Sequence, residues 1–183
     1  PVLALKVLRT MSSLQNKRVL LGVTGGIAAY KSPDLVRRLK ELGASVKVVM
    51  TPAACEFITP LTLQAVSGER VHTSLLDAEA EAAMGHIELA RWADLIVIAP
   101  ATADALSRLM QGRADDLLGT LVLASDAPKM LAPAMNQAMW RDASTQRNIV
   151  SLQEKGFVLV GPDEGTQACG DTGLGRMSEP VAI

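Results

Sequence analysis

Residues 18–31 read RVLLGVTGGIAAYK, and this stretch decides the fold. Its first six residues form a short apolar run that ends in Thr24-Gly25-Gly26. Leu35, Val36, Leu39 and Leu42 follow at helical spacing, and Gly43 stops them. The pattern is strand, tight turn, helix. Pro33 fits either the first turn of a helix capped by Ser32 or a kink in a helix that began near Gly26.

Working outward, the same alternation repeats. Residues 45–50 (SVKVVM) read as a strand closed by Thr51-Pro52, with helical segments following to Val66. A weak strand lies around residues 70–73, and residues 77–84 are a short Ala/Glu-rich segment. The clearest buried strand is 95–99 (LIVIA), which runs into Pro100-Ala101-Thr102. Helices are predicted over 103–110, 116–124 and 142–155, and strands over 129–132 and 157–160. From Gly161 onward the Gly/Pro/Asp-rich chain reads as one long loop. The strands are apolar throughout, so they are buried on both faces. This predicts a single-domain, doubly wound, mostly parallel α/β sheet. In such a sheet ligands sit at the carboxyl ends of the strands. The loops beginning at Thr24, Thr51, Pro100 and Pro133 should therefore converge on one crevice.

Composition narrows the function. Among 183 residues, 18 basic against 19 acidic side chains give a net charge of −1. That excludes a sequence-independent nucleic-acid binder and a polybasic membrane anchor. Aromatics at 3% exclude an RNA-recognition sheet built on stacked rings. Two cysteines, Cys55 and Cys169, make no disulfide framework, and no Cys/His cluster has metal-ligand spacing. Cys55, on a helical stretch, reads as packing, and His72 is assigned no role. The apolar run 95–99 is too short to span a membrane, and residues 1–16 lack the order of a signal peptide. The expected location is the cytoplasm, with no metal, nucleic acid or membrane as partner. Met11 before Ser12-Ser13 is a candidate native start, which makes residues 1–16 an extension that is partly non-native.

The turn after the first strand is neither a Walker loop nor G-x-G-x-x-G. It still suits an anion: glycines let backbone N–H groups approach, and Thr24 adds a hydroxyl. Its bland reading is a tight turn without a ligand. A dinucleotide site expects an acidic residue at the end of the second strand, where this chain has Met50-Thr51-Pro52. NAD is disfavoured, and a single-phosphate ligand such as a mononucleotide is left open. In Pro100-Ala101-Thr102 small residues admit a flat ring, against simple termination of a strand by proline. Asp115 and Asp116 read as a helix cap. Met135-Asn136 in PAMNQAMW sets an amide beside an apolar rim, which suits a substrate carboxyl, although methionines more often fill cores. His86 is a candidate proton acceptor. Cys169, in a glycine-rich loop, is a candidate proton donor or nucleophile.

Six segments stand in order: TGGIAAYK (24–31), ITPLTLQAVSG (58–68), MGHIEL (84–89), APATAD (99–104), PAMNQAMW (133–140) and ACGDTGLGRM (168–177). Together they resemble the flavin-containing cysteine decarboxylases, over residues 17–183, and most closely those that act on phosphopantothenoylcysteine. The resemblance implies a Rossmann-like or flavodoxin-like flavoprotein fold with a C-terminal clamp loop. It implies FMN held by Thr24, Gly25, Gly26, Ile27, Thr51, Pro100, Ala101 and Thr102. It implies His86, Asn136 and Cys169 as catalytic residues, with Met135, Asn136, Ala168, Gly170, Arg176 and Met177 on the substrate. The implied substrate is 4′-phosphopantothenoylcysteine and the product 4′-phosphopantetheine, an intermediate of coenzyme A biosynthesis. A CTP-dependent ligase domain is expected to follow in a longer parent chain. Trimers, assembled further into dodecamers, are the implied homo-oligomers, with active sites at subunit interfaces, so that His86 serves a flavin held by a neighbour.

The chemistry implied is oxidation of the cysteine end to a thioaldehyde, loss of CO2 and re-reduction of the enethiol, with FMN as the reversible electron sink. His86 would take the thiol proton, Asn136 orient the carboxylate, and Cys169 return a proton. Rival readings are a peptidyl-cysteine decarboxylase, a flavin prenyltransferase, a flavin-binding module without decarboxylase activity, and an NAD(P) oxidoreductase. The intact PAMN and ACGD segments count against the prenyltransferase, and the absent acidic residue against the last.

Overall fold

The structure is a computed structural model that describes residues 14–75 and 85–183. The first strand, β1 (Arg18–Val23), leads through Thr24–Gly26 into a 3-10 turn (Ile27–Lys31) and helix α1 (Ser32–Glu41). Next come β2 (Ser45–Met50), α2 (Pro52–Cys55), α3 (Pro60–Ser67) and β3 (Val71–His72). Helix α4 (His86–Trp92) precedes β4 (Leu95–Ala101), α5 (Ala103–Gln111), α6 (Leu117–Ala124) and β5 (Lys129–Pro133). Then follow α7 (Gln137–Arg141), α8 (Ala143–Glu154) and β6 (Phe157–Leu159). Strands β7 (Asp163–Thr166) and β8 (Thr172–Arg176) end the order.

Six strands pair in the order β3-β2-β1-β4-β5-β6, every pair parallel. The apolar runs explain the layering, because alternate side chains leave opposite faces of a strand. Val19, Leu21 and Val23 pack with Leu35, Val36 and Leu39 of α1 and Leu63 of α3. Leu20, Ile96, Ile98 and Leu131 pack with Leu89 of α4, Leu106 of α5, Leu118 and Leu121 of α6 and Leu152 of α8. The sheet is therefore doubly wound. The chain reverses direction across it between β1 and β4, and that pair opens a crevice at its carboxyl end.

One expectation changes and one open alternative is resolved. The segment after Gly161 is not only loop: β7 and β8 form an antiparallel hairpin. Its strands are short and polar, and they are held by backbone pairing and docking that no apolar pattern announces. The Pro33 alternatives are settled in favour of the first turn, since α1 starts at Ser32 behind a separate 3-10 turn. Ser32 does not cap that helix through its side chain; its hydroxyl donates to the Ala99 carbonyl of β4 at 3.0 Å. The short Ala/Glu-rich segment 77–84 and the candidate start at Met11 lie outside the described residues. Leu14 and Asn16, placed by the sequence in an N-terminal extension, bond through their backbone N–H groups to Leu42 and Gly43. No described helix is long and apolar enough to cross a membrane.

Candidate active site

The four loops converge as the sheet requires. A cavity of about 1090 Å3 is lined by Thr24–Ile27 after β1, Thr51–Ala53 after β2, Thr102–Ala105 after β4 and Ala134–Asn136 after β5. The hairpin closes it with Thr166–Cys169 and Gly175–Met177.

Thr24 is buried at the bottom. Its hydroxyl donates to the Pro100 carbonyl at 2.7 Å and accepts from the Thr102 backbone N–H at 3.2 Å. The first and third loops are thus stitched together. Thr102 itself caps α5, accepting from Ala105 N–H. Thr51 caps α2 in the same way, accepting from Ala54 N–H. Gly25 is required by proximity: a Cβ there would stand 2.4 Å from the Ala53 Cβ and 2.9 Å from its carbonyl oxygen. Pro100 and Ala101 stand behind the wall rather than on it, for the carbonyl of Pro100 is taken by Thr24 and that of Ala101 by Ala134 N–H.

The opposite wall is built around Asn136. Its Oδ1 accepts from Ala138 N–H at 2.7 Å and so caps α7. Its Nδ2 donates to Cys169 Sγ at 3.3 Å and to Asp171 Oδ2 at 2.9 Å. The Asn136 amide first, and then the Cys169 thiol, hold the Asp171 carboxyl below the ordinary carboxylate range. Cys169 is exposed, unlike Cys55, which packs against the core and whose thiol burial pushes up.

Three residues that sequence reasoning gave no role hold this wall in place. The Gln167 side chain accepts from Gln137 N–H at 3.0 Å and donates to the carbonyls of Met135 and Leu174, both at 3.3 Å. Lys31, 8% exposed, donates from Nζ to the Met177 carbonyl at 3.0 Å and to Glu179 at 2.7 Å. It fixes the root of the hairpin to the turn after β1. Asp171 is the third. Lys31 and Asp171 lie inside quoted motifs and Gln167 directly before one; that position was the available signal, because isolated polar residues show no period. Gly175 lets the hairpin dock: its φ is +143°, and a Cβ would stand 2.3 Å from the Met135 carbonyl oxygen.

The other candidates divide between the cavity and its outside. Met135, Ala168, Arg176 and Met177 line the cavity, whereas Gly170 and His86 do not. His86 starts α4, which packs against α6 on one face of the sheet. Arg108, Asp115 and Asp116 also line the cavity: Asp116 caps α6, accepting from Gly119 N–H at 2.7 Å, and Arg108 bonds both carboxylates.

A parallel α/β sheet of this order, with a glycine turn and a crevice at its switch point, defines a nucleotide-cofactor protein, and β2 ends in Met50-Thr51-Pro52 where a dinucleotide site places an acidic residue. The chain belongs to the flavoprotein family, whose family model matches residues 8–183. Its curated relatives include the coenzyme A biosynthesis bifunctional proteins CoaBC of Vibrio vulnificus strain YJ016, 62% identical, and of Escherichia coli strain K12, 59% identical. These matches cover 94% and 93% of this chain but 43% and 42% of the relatives, so the chain spans about two-fifths of their length. Among solved structures it resembles a PPC decarboxylase mutant complexed with pantothenoylaminoethenethiol, at 36% identity and TM-score 0.79, over 91% of this chain and 93% of that one. The FMN binding protein AtHal3 matches at 36% identity and TM-score 0.77, covering 91% and 92%. The FMN-dependent cysteine decarboxylase SpaF matches at 34% and 0.79, covering 93% and 95%.

Proposed function

We propose that this chain is the FMN-dependent domain that decarboxylates 4′-phosphopantothenoylcysteine to 4′-phosphopantetheine in coenzyme A biosynthesis. The observation that carries the reading is the meeting of Asn136 Nδ2 and Cys169 Sγ, 3.3 Å apart, on the wall facing the Thr24–Ile27 turn.

The residues present fit FMN. The cavity has room for a mononucleotide together with a substrate. The Gly25 cradle would be filled by a Cβ, and Thr24, Gly26, Ile27, Thr51 and Thr102 surround it. Bound FMN supplies a reversible hydride sink, which makes loss of CO2 from a saturated carbon feasible without an external reductant. The chain's own residues do the rest. Asn136 Nδ2 orients the carboxylate that leaves. The Cys169 thiol gives its proton to the carbon during re-reduction. Gln167 and Lys31 hold the hairpin so that Cys169 stays over the crevice. The rim residues Met135 and Met139 limit water around the reacting end.

His86 takes the substrate thiol proton at a crevice formed with a second copy of the chain, which accounts for its distance from the cavity of its own chain. The active unit is then a homo-oligomer, a trimer or an assembly of trimers. The longer parent chain also carries the CTP-dependent ligase, and a cytoplasmic location goes with this reading.

The test is the visible absorption spectrum of the purified protein, repeated without oxygen after adding phosphopantothenoylcysteine. A flavin spectrum that survives turnover to 4′-phosphopantetheine supports the reading. Bound flavin that responds only to a cysteine-ended peptide replaces the substrate. No flavin after reconstitution with FMN sinks it.

A further inference from the structure

Asn136 is held from two directions by groups that each admit one polarity. The Ala138 N–H can only donate, so it takes Oδ1, and the Asp171 carboxylate can only accept, so it takes Nδ2. The first bond settles which way the amide is flipped. It leaves the Nδ2 end free to swing toward or away from Cys169, and the second bond removes that freedom.

Asp171 and Cys169 sit on the same tight turn, closed by the Gln167 N–H donating to the Asp171 carbonyl at 2.7 Å. They reach Asn136 together when the hairpin docks. One Nδ2 proton then goes to the carboxylate and the other points at Sγ, where a substrate carboxylate would receive it. Arg141 on α7 adds attraction to the Asp171 charge.

We propose that Asp171 is a positioning residue for decarboxylation: its carboxylate fixes the swing of the Asn136 amide and couples docking of the hairpin to presentation of Nδ2. This rests on the decarboxylase reading above. Asp171 acts on the departing carboxylate through Asn136, while its carboxylate also takes a hydrogen bond from the Cys169 thiol.

The experiment uses the FMN-loaded protein. Asp171→Ala should lower kcat about 30-fold, the worth of a charge-assisted bond that orients a reacting group. KM should move by less than about threefold, because the rest of the substrate is bound elsewhere. The flavin spectrum should be retained. Asp171→Asn keeps an amide oxygen that can accept from Nδ2 and should recover most of the rate. An unchanged kcat in Asp171→Ala, or an Asp171→Asn variant no better than Asp171→Ala, overturns the inference. A crystal structure of substrate-free Asp171→Ala reads the amide directly, whatever the wild type turns over. Nδ2 swung out of reach of Sγ supports the role, and Nδ2 still on Sγ removes it. Should the alanine variant fail to fold, the structure and rate of Asp171→Asn decide in the same way. A near-normal rate with Asn136 Nδ2 bonded to the amide oxygen introduced by that substitution supports the role, and a near-normal rate without that bond overturns it. A wild type that holds FMN but leaves phosphopantothenoylcysteine unchanged counts against the proposed function alone.

Discussion

Thr24 and Thr102 meet across the switch point of the sheet, with the Thr102 backbone N–H donating to Thr24 Oγ1 at 3.2 Å while that hydroxyl donates to the Pro100 carbonyl at 2.7 Å. One buried hydroxyl therefore joins the loops after β1 and β4, the two that flank the crevice. Thr24→Val keeps the shape and leaves both backbone partners unpaired. The expected loss is about 1–3 kcal/mol in chemical denaturation, with FMN released at lower dilution. Thr24→Ser should restore both. A valine variant as stable as the wild type would show that the stitch contributes nothing.

Gly25→Ala tests the cradle. The new Cβ would meet Ala53 at 2.4 Å, with backbone as well as side chain in the way, so the turn must move. The protein should fold, with a far-ultraviolet spectrum like the wild type, and should fail to retain FMN through gel filtration. Retained flavin would place the cofactor away from this turn.

Cys169→Ser separates the half-reactions. Oxidation and CO2 loss should proceed while re-reduction stalls, leaving reduced flavin and an unsaturated product two hydrogens lighter in mass spectrometry. Saturated product at the normal rate would remove Cys169 from proton donation.

Lys31→Met tests the root of the hairpin. The methionine keeps the apolar stem but loses the bonds to the Met177 carbonyl and Glu179. Stability should fall by about 2 kcal/mol or less, because Glu179 is half exposed. The segment around Cys169 should become the first site of limited proteolysis. An unchanged cleavage pattern would show that the hairpin stays docked without this lysine.

Asp94 gives a pH prediction. The Arg18 side chain, followed by the Arg18 backbone N–H, holds its carboxyl down at about 2, against an ordinary value of 3.8. A depressed carboxylate contributes stability that is full above the ordinary value and is lost as pH falls through the folded one. Asp94→Asn should therefore destabilise the protein at neutral pH and converge with the wild type near pH 2. Equal differences at both pH values would contradict the pairing.

Much of the sheet was legible because its strands are short apolar runs ended by glycine or proline. Residues 18–23 and 45–50 match β1 and β2 to the residue. The hairpin was not legible. Asp163-Glu164-Gly165-Thr166 has no apolar face, and it becomes a strand only by pairing with Thr172–Arg176 and docking on Met135–Gln137. Ser32 misled for a related reason: its hydroxyl found a buried carbonyl on β4, which outcompetes the local cap.

By itself the sequence determined the alternation of buried strands and helices, the glycine turn, and the candidate side chains in their motifs, because periodicity and residue chemistry are local properties. Only the tertiary structure decided the strand order, the separation of His86 from the cavity, and the convergence of Asn136, Cys169 and Asp171. Those depend on which surfaces bury one another and on hydrogen bonds between residues distant in the chain, and no short window of sequence contains both partners.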